Sequence, residues 1–191
     1  MQKFEFHETE ICGLIEITPF FNGDERGEFV KDYSQRIFEG NGIAHPILET
    51  FYSTSKRGVL RGMHFQRVKQ QAKLVRCIYG KIYDVVADLR PESPTLKKWL
   101  AFELTGENKK ELLVPIGCAH GFLALEDSMV SYKCSENFFG EYDGGIVWND
   151  PELNIDWGLE RIGGVDNLIV SDKDRALLTY KEFIKKFGGM L

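Results

Sequence analysis

Short apolar segments recur along most of the chain, and polar turns separate them. The segments are rich in β-branched and aromatic residues, whereas the turns are rich in Gly, Pro, Asn, Asp and Ser, as in NGDERG, RPESP, TGEN and EYDGG. Many short strands at close spacing are typical of a sandwich or barrel. We therefore predict an all-β fold. The segments are 13–17, 98–104, 111–114, 121–125 and 129–132.

The strongest strand signal lies in KLVRCIYGKIYDVVADLR, residues 73–90. Two apolar blocks in this segment are interrupted by Gly80 and Lys81. A short break of this kind between two strand-forming blocks predicts a β-hairpin, in which the two strands pair with each other.

Helical periodicity is confined to two places. A short helix is predicted at 34–39 and a longer one in the C-terminal segment DKDRALLTYKEFIKKF, residues 172–187. Acidic residues at the start and lysines at the end of that segment suit the helix dipole, and Gly188 and Gly189 end it. We expect its apolar face to pack on the β-core or on a partner subunit. The apolar residues at helical spacing are Leu177, Tyr180, Phe183, Ile184 and Phe187.

Length and composition are those of an ordinary globular protein. The chain has 191 residues, of which 43% are hydrophobic and 28% charged, enough for a substantial core. No repeat or linker divides it, so we predict one domain over residues 1–191. It has no long apolar run, and the start MQKFEFHETE is acidic where a signal peptide is basic and then apolar. These features predict a cytoplasmic protein without a membrane segment.

Net charge and cysteine spacing exclude two further classes of protein. The formal charge of -5 argues against a nucleic-acid partner, because such proteins usually present a basic surface to phosphates. The four cysteines are far apart and form no Cys-x-x-Cys pair, so we predict reduced and mostly buried thiols. They are Cys12, Cys77, Cys118 and Cys134.

A comparison with cupins bears on metal binding. PIGCAHGF contains the spacing Pro-x-Gly-x-x-His of the second cupin motif, which ends at His120. The first motif needs a His-x-His pair, but GMHFQ places Gln66 where the second histidine would be. A site short of imidazole ligands holds an ion weakly, so we expect no metal and no cofactor. A metal-dependent cupin enzyme using His64 and His120 stays open as an alternative.

His64 has two interpretations from the residues alone. A lone histidine is more often a hydrogen-bonded structural residue than a catalyst. However, Arg61 lies three residues upstream and Lys73 begins the next predicted strand, so the three side chains can meet inside a barrel. Cations in an apolar cavity are unfavourable without an anion, and a negatively charged ligand would explain them.

Eight segments of the chain resemble one enzyme family in the same order. They are GDERGEF, GVLRGMHFQ, QAKLVRCIYGKIYDVVADLR, SPT, VPIGCAHGF, YK, GIVWNDPELNIDW and SDKD. Together they are similar to the dTDP-4-dehydrorhamnose 3,5-epimerase family over almost the whole chain. The resemblance implies a cupin-like, metal-free jelly roll, usually a homodimer, that acts on a nucleotide-linked 4-keto-6-deoxy sugar, with dTDP as the expected nucleotide.

The chemistry of that family explains the candidate catalytic residues. A keto group at C4 acidifies the hydrogens on C3 and C5, so a base can remove one and a proton returned from the opposite face inverts the carbon. By resemblance, His64 is the base and Tyr132 the acid. Asp174 would orient His64, and Lys73 would stabilise the enolate. Without the resemblance, we would interpret Tyr132 as an aromatic residue of the core and Asp174 as a carboxylate at the N-terminus of a helix.

Ten further positions fall where the resemblance implies contacts with the substrate. Arginines suit the diphosphate because the guanidinium binds two phosphate oxygens at once. Phe138 stands where the family has a tyrosine that stacks on the thymine base, and a phenyl ring keeps the stacking face. The ten residues are Arg26, Lys31, Glu49, Phe51, Ser53, Arg61, His120, Phe138, Asp143 and Lys173.

Three of these positions depart from the family pattern. Lys31 replaces a glutamate, and Glu49 and Phe51 replace two amides. We hypothesise that Lys31 and Glu49 pair with each other, within the chain or across a dimer interface. An amide that hydrogen-bonds to the edge of the nucleobase helps to distinguish one nucleotide from another. Its loss therefore predicts weaker discrimination between nucleotides. The segment 158–169 also departs and is expected to reshape the entrance.

The departures leave two alternatives to the 3,5-epimerase. One is an enzyme that inverts only C3 or only C5 of a different nucleotide sugar. The other is a cupin-like module that binds a sugar nucleotide without chemistry. His64 opposite Tyr132 favours an enzyme, because simple binding requires neither a base nor an acid.

Overall fold

A computed structural model of the chain describes residues 3–189. It confirms the predicted all-β fold with a few short helices, arranged as a jelly-roll barrel of two packed sheets. The first sheet has six strands, all paired antiparallel. In spatial order they are β1 (Glu5–Glu8), β2 (Ile15–Thr18), β10 (Glu111–Val114), β7 (Lys73–Tyr79), β12 (Ser128–Cys134) and β5 (Glu49–Ser55).

The second sheet has five strands in its main path, and a short sixth strand joins it by parallel pairing. In spatial order they are β13 (Asp143–Gly145), β6 (Val59–Gln66), β11 (Cys118–Ala124), β8 (Lys81–Asp88) and β9 (Trp99–Thr105), with β14 (Ile169–Val170) beside β6. A separate hairpin, called the arm below, consists of β3 (Phe20–Asp24) and β4 (Gly27–Lys31).

The two strands predicted at 73–90 do not pair with each other, so the predicted hairpin is wrong. Both strands form where the pattern places them, but β7 belongs to the first sheet and β8 to the second. The chain crosses between the sheets at Gly80, whose φ is +75° and whose Cβ, if present, would lie 2.0 Å from the carbonyl oxygen of Asp127. Gly80 therefore turns the chain where no side chain fits.

Much of the interior of the barrel is apolar. Buried side chains from both sheets meet there, including Val75 and Cys77 of β7 and Ile82, Val86 and Phe122 from the second sheet. Burial of this apolar surface is the main force that holds the sheets together. The thiol prediction is also confirmed, because all four cysteines are free and three of them are buried.

The helices agree with the prediction only in part. Helix α1 (Gln35–Gly40) confirms the short helix, but the C-terminal one is divided into α2 (Asp172–Arg175) and α3 (Tyr180–Phe187). Thr179 starts α3 with a capping box to Glu182, which ends any continuous helix. The apolar face of α3 packs on the β-core of the same chain, where Phe183 contacts Phe65 at 5.2 Å between ring centroids.

None of the helices among residues 3–189 has the length and apolar character needed to cross a membrane.

Candidate active site

A cavity of about 190 Å³ lies between the two sheets and contains most of the candidate catalytic residues. The first sheet contributes Lys73 and Tyr132, and the second contributes His64 and His120. The residues that line the cavity are Phe51, Ser53, Arg61, His64, Lys73, His120, Gly121, Phe122 and Tyr132. The fold thus brings together side chains from five strands, β5, β6, β7, β11 and β12.

His64 forms a dyad with Asp174. Its Nε2 lies 2.8 Å from Asp174 Oδ1, and Asp174 Oδ2 accepts the backbone N–H of Gly62 at 3.3 Å. Burial would raise the pKa of Asp174, but the hydrogen bond and charge of His64 outweigh it and lower that pKa below its usual value. An ionised Asp174 fixes the imidazole with Nε2–H as donor, which leaves the Nδ1 lone pair free to accept a proton.

Arg61 and His64 line the same cavity because β6 is irregular between them. Strict alternation along a strand would send residues three apart to opposite faces. The pairing of β6 with β11 shifts register between His120 and Phe122, opposite this stretch. Gly62 permits the close contact, since its φ is +132° and a Cβ there would lie 2.6 Å from Gly121 Cα.

Tyr132 is held by two rings. It stacks on Phe51, with ring centroids 4.7 Å apart and planes inclined by 16°, and meets His120 edge-on at 6.0 Å. Burial raises the pKa of Tyr132, and the negative charge of Asp84 raises it further. Tyr132 therefore keeps its phenolic proton throughout the neutral range and can act as a proton donor.

Lys73 lies half-buried at the start of β7, and its burial lowers its pKa below the ordinary lysine value. The nearby Cys134 and Asp143 oppose that shift. A cation placed in a cavity of limited hydration is a strong electrostatic partner for a developing oxyanion.

A second His–Asp pair was missed by the sequence reasoning. His120 Nε2 lies 2.8 Å from Asp84 Oδ2, and both side chains are almost fully buried. Burial raises the pKa of Asp84, whereas the charge and hydrogen bond of His120 oppose the rise. The available signal was an acid at the centre of the apolar strand KIYDVVAD, where a charge without a partner would be costly.

The remaining substrate candidates occupy the rim of the cavity or lie away from it. Lys173 pairs with Asp143, beside the dyad. Glu49 accepts the backbone N–H of Phe138, and Lys31 lies 5.9 Å from the centroid of the Phe20 ring. The hypothesised Lys31–Glu49 pair is thus wrong within the chain, because each side chain has another partner.

Arg26 is not among the residues that line the cavity of its own chain. It is at the turn of the arm, its side chain is 85% exposed, and it binds Asp24 in the same turn. The arm is attached through Lys109, which lies over the ring of Phe21, and the loop that contains Lys109 bonds to Gly80. That is the end of β7 opposite to Lys73.

The segment 158–169 does not lie at the entrance, which corrects the expectation from the sequence. It forms two short 3₁₀ turns and the start of β14. Arg57 donates to the carbonyls of Arg161 and Ile162, and Arg161 pairs with Glu103 of β9. The segment therefore covers the outer side of the second sheet.

Metal-ligating side chains are dispersed in the part of the chain that the structure describes. Across residues 3–189, no three His, Cys, Asp or Glu side chains converge as a metal site would require. The amide of Gln66, at the position of the missing cupin histidine, is bonded instead to the backbone at Lys69, Asn137 and Phe139.

Comparisons with known proteins agree on one family. A family profile described as dTDP-4-dehydrorhamnose 3,5-epimerase matches residues 8–182. A protein of that name from Methanothermobacter thermautotrophicus is 49% identical over 92% of this chain and 94% of the relative. An epimerase structure from Mycobacterium tuberculosis superposes with a TM-score of 0.89 at 34% identity, covering 95% of this chain and 91% of that chain.

A 3,5-epimerase from Legionella pneumophila, crystallised with dTDP-4-keto-L-rhamnose, superposes with a TM-score of 0.86 at 35% identity, covering 92% of each chain. The similarity in sequence and in fold thus extends over nearly the whole chain.

Proposed function

The chain belongs to the dTDP-4-dehydrorhamnose 3,5-epimerase family, and from this we infer that it converts dTDP-4-dehydro-6-deoxy-D-glucose to dTDP-4-dehydro-L-rhamnose. It is an isomerase with a cupin-like fold. We propose that it acts in the cytoplasm, where nucleotide sugars are made.

The observation that carries the catalytic proposal is the placement of a base and an acid on opposite walls. His64, fixed by Asp174, projects from the second sheet, and Tyr132 projects from the first sheet into the same cavity. A planar enolate between them can lose a proton to one side and gain a proton from the other. That arrangement inverts a carbon.

We propose the following roles. His64 Nδ1 takes the proton from C3, the C–H electron pair forms the C3=C4 bond, and the π electrons of the C4 carbonyl move to its oxygen, which becomes negative. Lys73 stabilises that oxyanion. Tyr132 then gives its phenolic proton to the other face of C3, and the two residues recover their protonation states through solvent. The same cycle at C5 completes the reaction.

Substrate binding is proposed at the cavity rim. Arg61 and Lys173 would hold the diphosphate, and His120 and Ser53 would contact the sugar within the cavity. Phe138 would stack on the base. Asp143 is paired with Lys173 in the structure. Its side chain would shift when Lys173 binds the diphosphate.

Asp84→Asn is expected to lower kcat/KM about tenfold or more, because a hydrogen bond to a charged partner contributes about 1.5–3 kcal/mol. The change keeps the shape of the side chain but loosens His120 in its position beside Tyr132. Steady-state kinetics and a melting curve test this. Unchanged kcat/KM in a folded variant would contradict the proposed role of His120.

A homodimer is proposed from an exposed apolar face. Tyr52 and Ile78, on the outer side of β5 and β7, are 67% and 43% exposed, and they line a shallow cavity of about 510 Å³. Exposed aromatic and aliphatic groups that adjoin one another favour burial against a second copy. We propose that this face joins two chains, and that the arm of each chain reaches the cavity of the other.

Mixed dimers test that arrangement. Arg26→Ala and His64→Ala are expected to be nearly inactive alone, yet co-expression should restore about one quarter of wild-type activity. Half of the random dimers would be mixed, and each mixed dimer would hold one site with both residues intact. Activity no greater than the sum of the separate variants would show that Arg26 does not act across the interface.

The reaction itself is tested by product analysis. Borohydride reduction and hydrolysis after incubation should release L-rhamnose and its C4 epimer, which require inversion at C3 and C5. Products inverted at one carbon would indicate a mono-epimerase. Unchanged 6-deoxy-D-hexoses from a protein that binds dTDP would indicate a binding module.

A further inference from the structure

The loop between β12 and β13 carries Phe138 and is tied to neighbouring strands through its backbone. Phe138 N–H donates to Glu49 Oε2 at 2.5 Å, and Phe139 N–H donates to Gln66 Oε1 at 2.5 Å. Gln66 Nε2 in turn donates to the carbonyl of Asn137 at 3.1 Å. Successive peptide groups are thus held by two side chains from different sheets.

The position of Glu49 suits this task. Glu49 lies opposite Cys134 at the end of β12, where the loop leaves the first sheet. Its carboxylate makes a charge-assisted bond, which is stronger than a bond between neutral groups. Gln66 is only 2% exposed, so its bonds to the loop are shielded from water.

The Phe138 ring itself stays accessible. Its side chain is 54% exposed although its backbone is fixed. An exposed aromatic ring on a fixed backbone is a stacking surface whose place is set before a ligand arrives, which lowers the entropy lost on binding.

We propose that Glu49 is a positioning residue for nucleobase recognition, which holds the Phe138 loop in place and does not read the base edge. This inference rests on the proposed function. This role explains why a carboxylate can replace the family amide at position 49, because Glu49 Oε2 accepts the Phe138 N–H. Recognition of the base falls to stacking on Phe138.

The test compares two ligands that differ by the nucleoside. In calorimetric titrations, Glu49→Ala should weaken dTDP binding about tenfold, while inorganic pyrophosphate binding stays within about twofold of wild type. Glu49→Gln keeps an acceptor oxygen and should bind dTDP within about threefold of wild type. Glu141→Ala removes one negative charge from an exposed position of the same loop and should bind dTDP as wild type does.

Three results would contradict the inference, and they are distinguishable. Wild-type dTDP affinity in Glu49→Ala would show that the bond does not position the base site. Equal weakening of dTDP and pyrophosphate would show a general effect on the fold. Wild-type protein that binds pyrophosphate but not dTDP would contradict the proposed function as well, because no nucleoside would then be recognised.

Discussion

His64→Ala is expected to lower kcat at least about a thousandfold, because a positioned general base contributes up to about ten thousandfold and no other group in the cavity can replace it. The neighbouring imidazole of His120 is already hydrogen-bonded through its Nε2 to Asp84. Asp174→Asn should cause a comparable loss, up to about ten thousandfold, because the asparagine amide can donate to Nε2 and hold the tautomer in which Nδ1 carries the proton. Steady-state kinetics with dTDP-4-dehydro-6-deoxy-D-glucose measures both.

The controls separate a lost base from a lost fold. His7 is an exposed histidine that lies beside Glu5 on the surface, so His7→Ala should be fully active. Binding of dTDP by His64→Ala should stay within about threefold of wild type, since the nucleotide contacts do not involve the imidazole. Substantial activity in a folded His64→Ala variant would assign the base to another residue.

Lys73→Met is expected to lower kcat between about a hundredfold and a thousandfold, the usual cost of removing one donor to an oxyanion. Methionine keeps the apolar stem of the side chain as far as Cε, so most of the cavity wall stays filled. Lys181→Met, at an exposed position on α3, removes a lysine without contact to the cavity and should leave kcat unchanged.

The pH profile gives Lys73 a second readout. Burial lowers its pKa, so the ammonium loses its proton at a lower pH than a free lysine, whose pKa is about 10.4. Enolate stabilisation is present below the lowered pKa and lost above it. Wild-type kcat should therefore fall on the alkaline side below about pH 10.4, and this fall should be absent in Lys73→Met. An unchanged alkaline limb in Lys73→Met would assign it to another group.

Local sequence patterns predicted strands better than their partners. Hydrophobic periodicity located β7 and β8, but it could not show that they belong to different sheets. Which strands pair depends on long-range contacts, such as the packing of Gly80 against Asp127. The hydrophobic pattern of a single strand carries no information about such contacts. Likewise, the apolar spacing at 172–187 concealed the break at Thr179, where the capping box begins α3.

The candidate site was predictable where motifs were local and hidden where partners were distant. His64 and Lys73 stood out from nearby charges, whereas Asp174 is 110 residues from His64 and was assigned only through resemblance. Asp84 was missed because its partner, 36 residues away, is defined by the register of β8 and β11. The alignment of Arg61 with His64 depends on a register shift that alternation cannot foresee.

Proton exchange during turnover tests the central claim most directly. NMR of dTDP-4-dehydro-6-deoxy-D-glucose in D₂O with the wild-type protein should show deuterium at both C3 and C5 of the product, because each inversion replaces a carbon-bound hydrogen with one from solvent. The exchange should vanish in His64→Ala. Exchange that persists in that variant, or inversion without deuterium, would contradict an enolate formed between His64 and Tyr132.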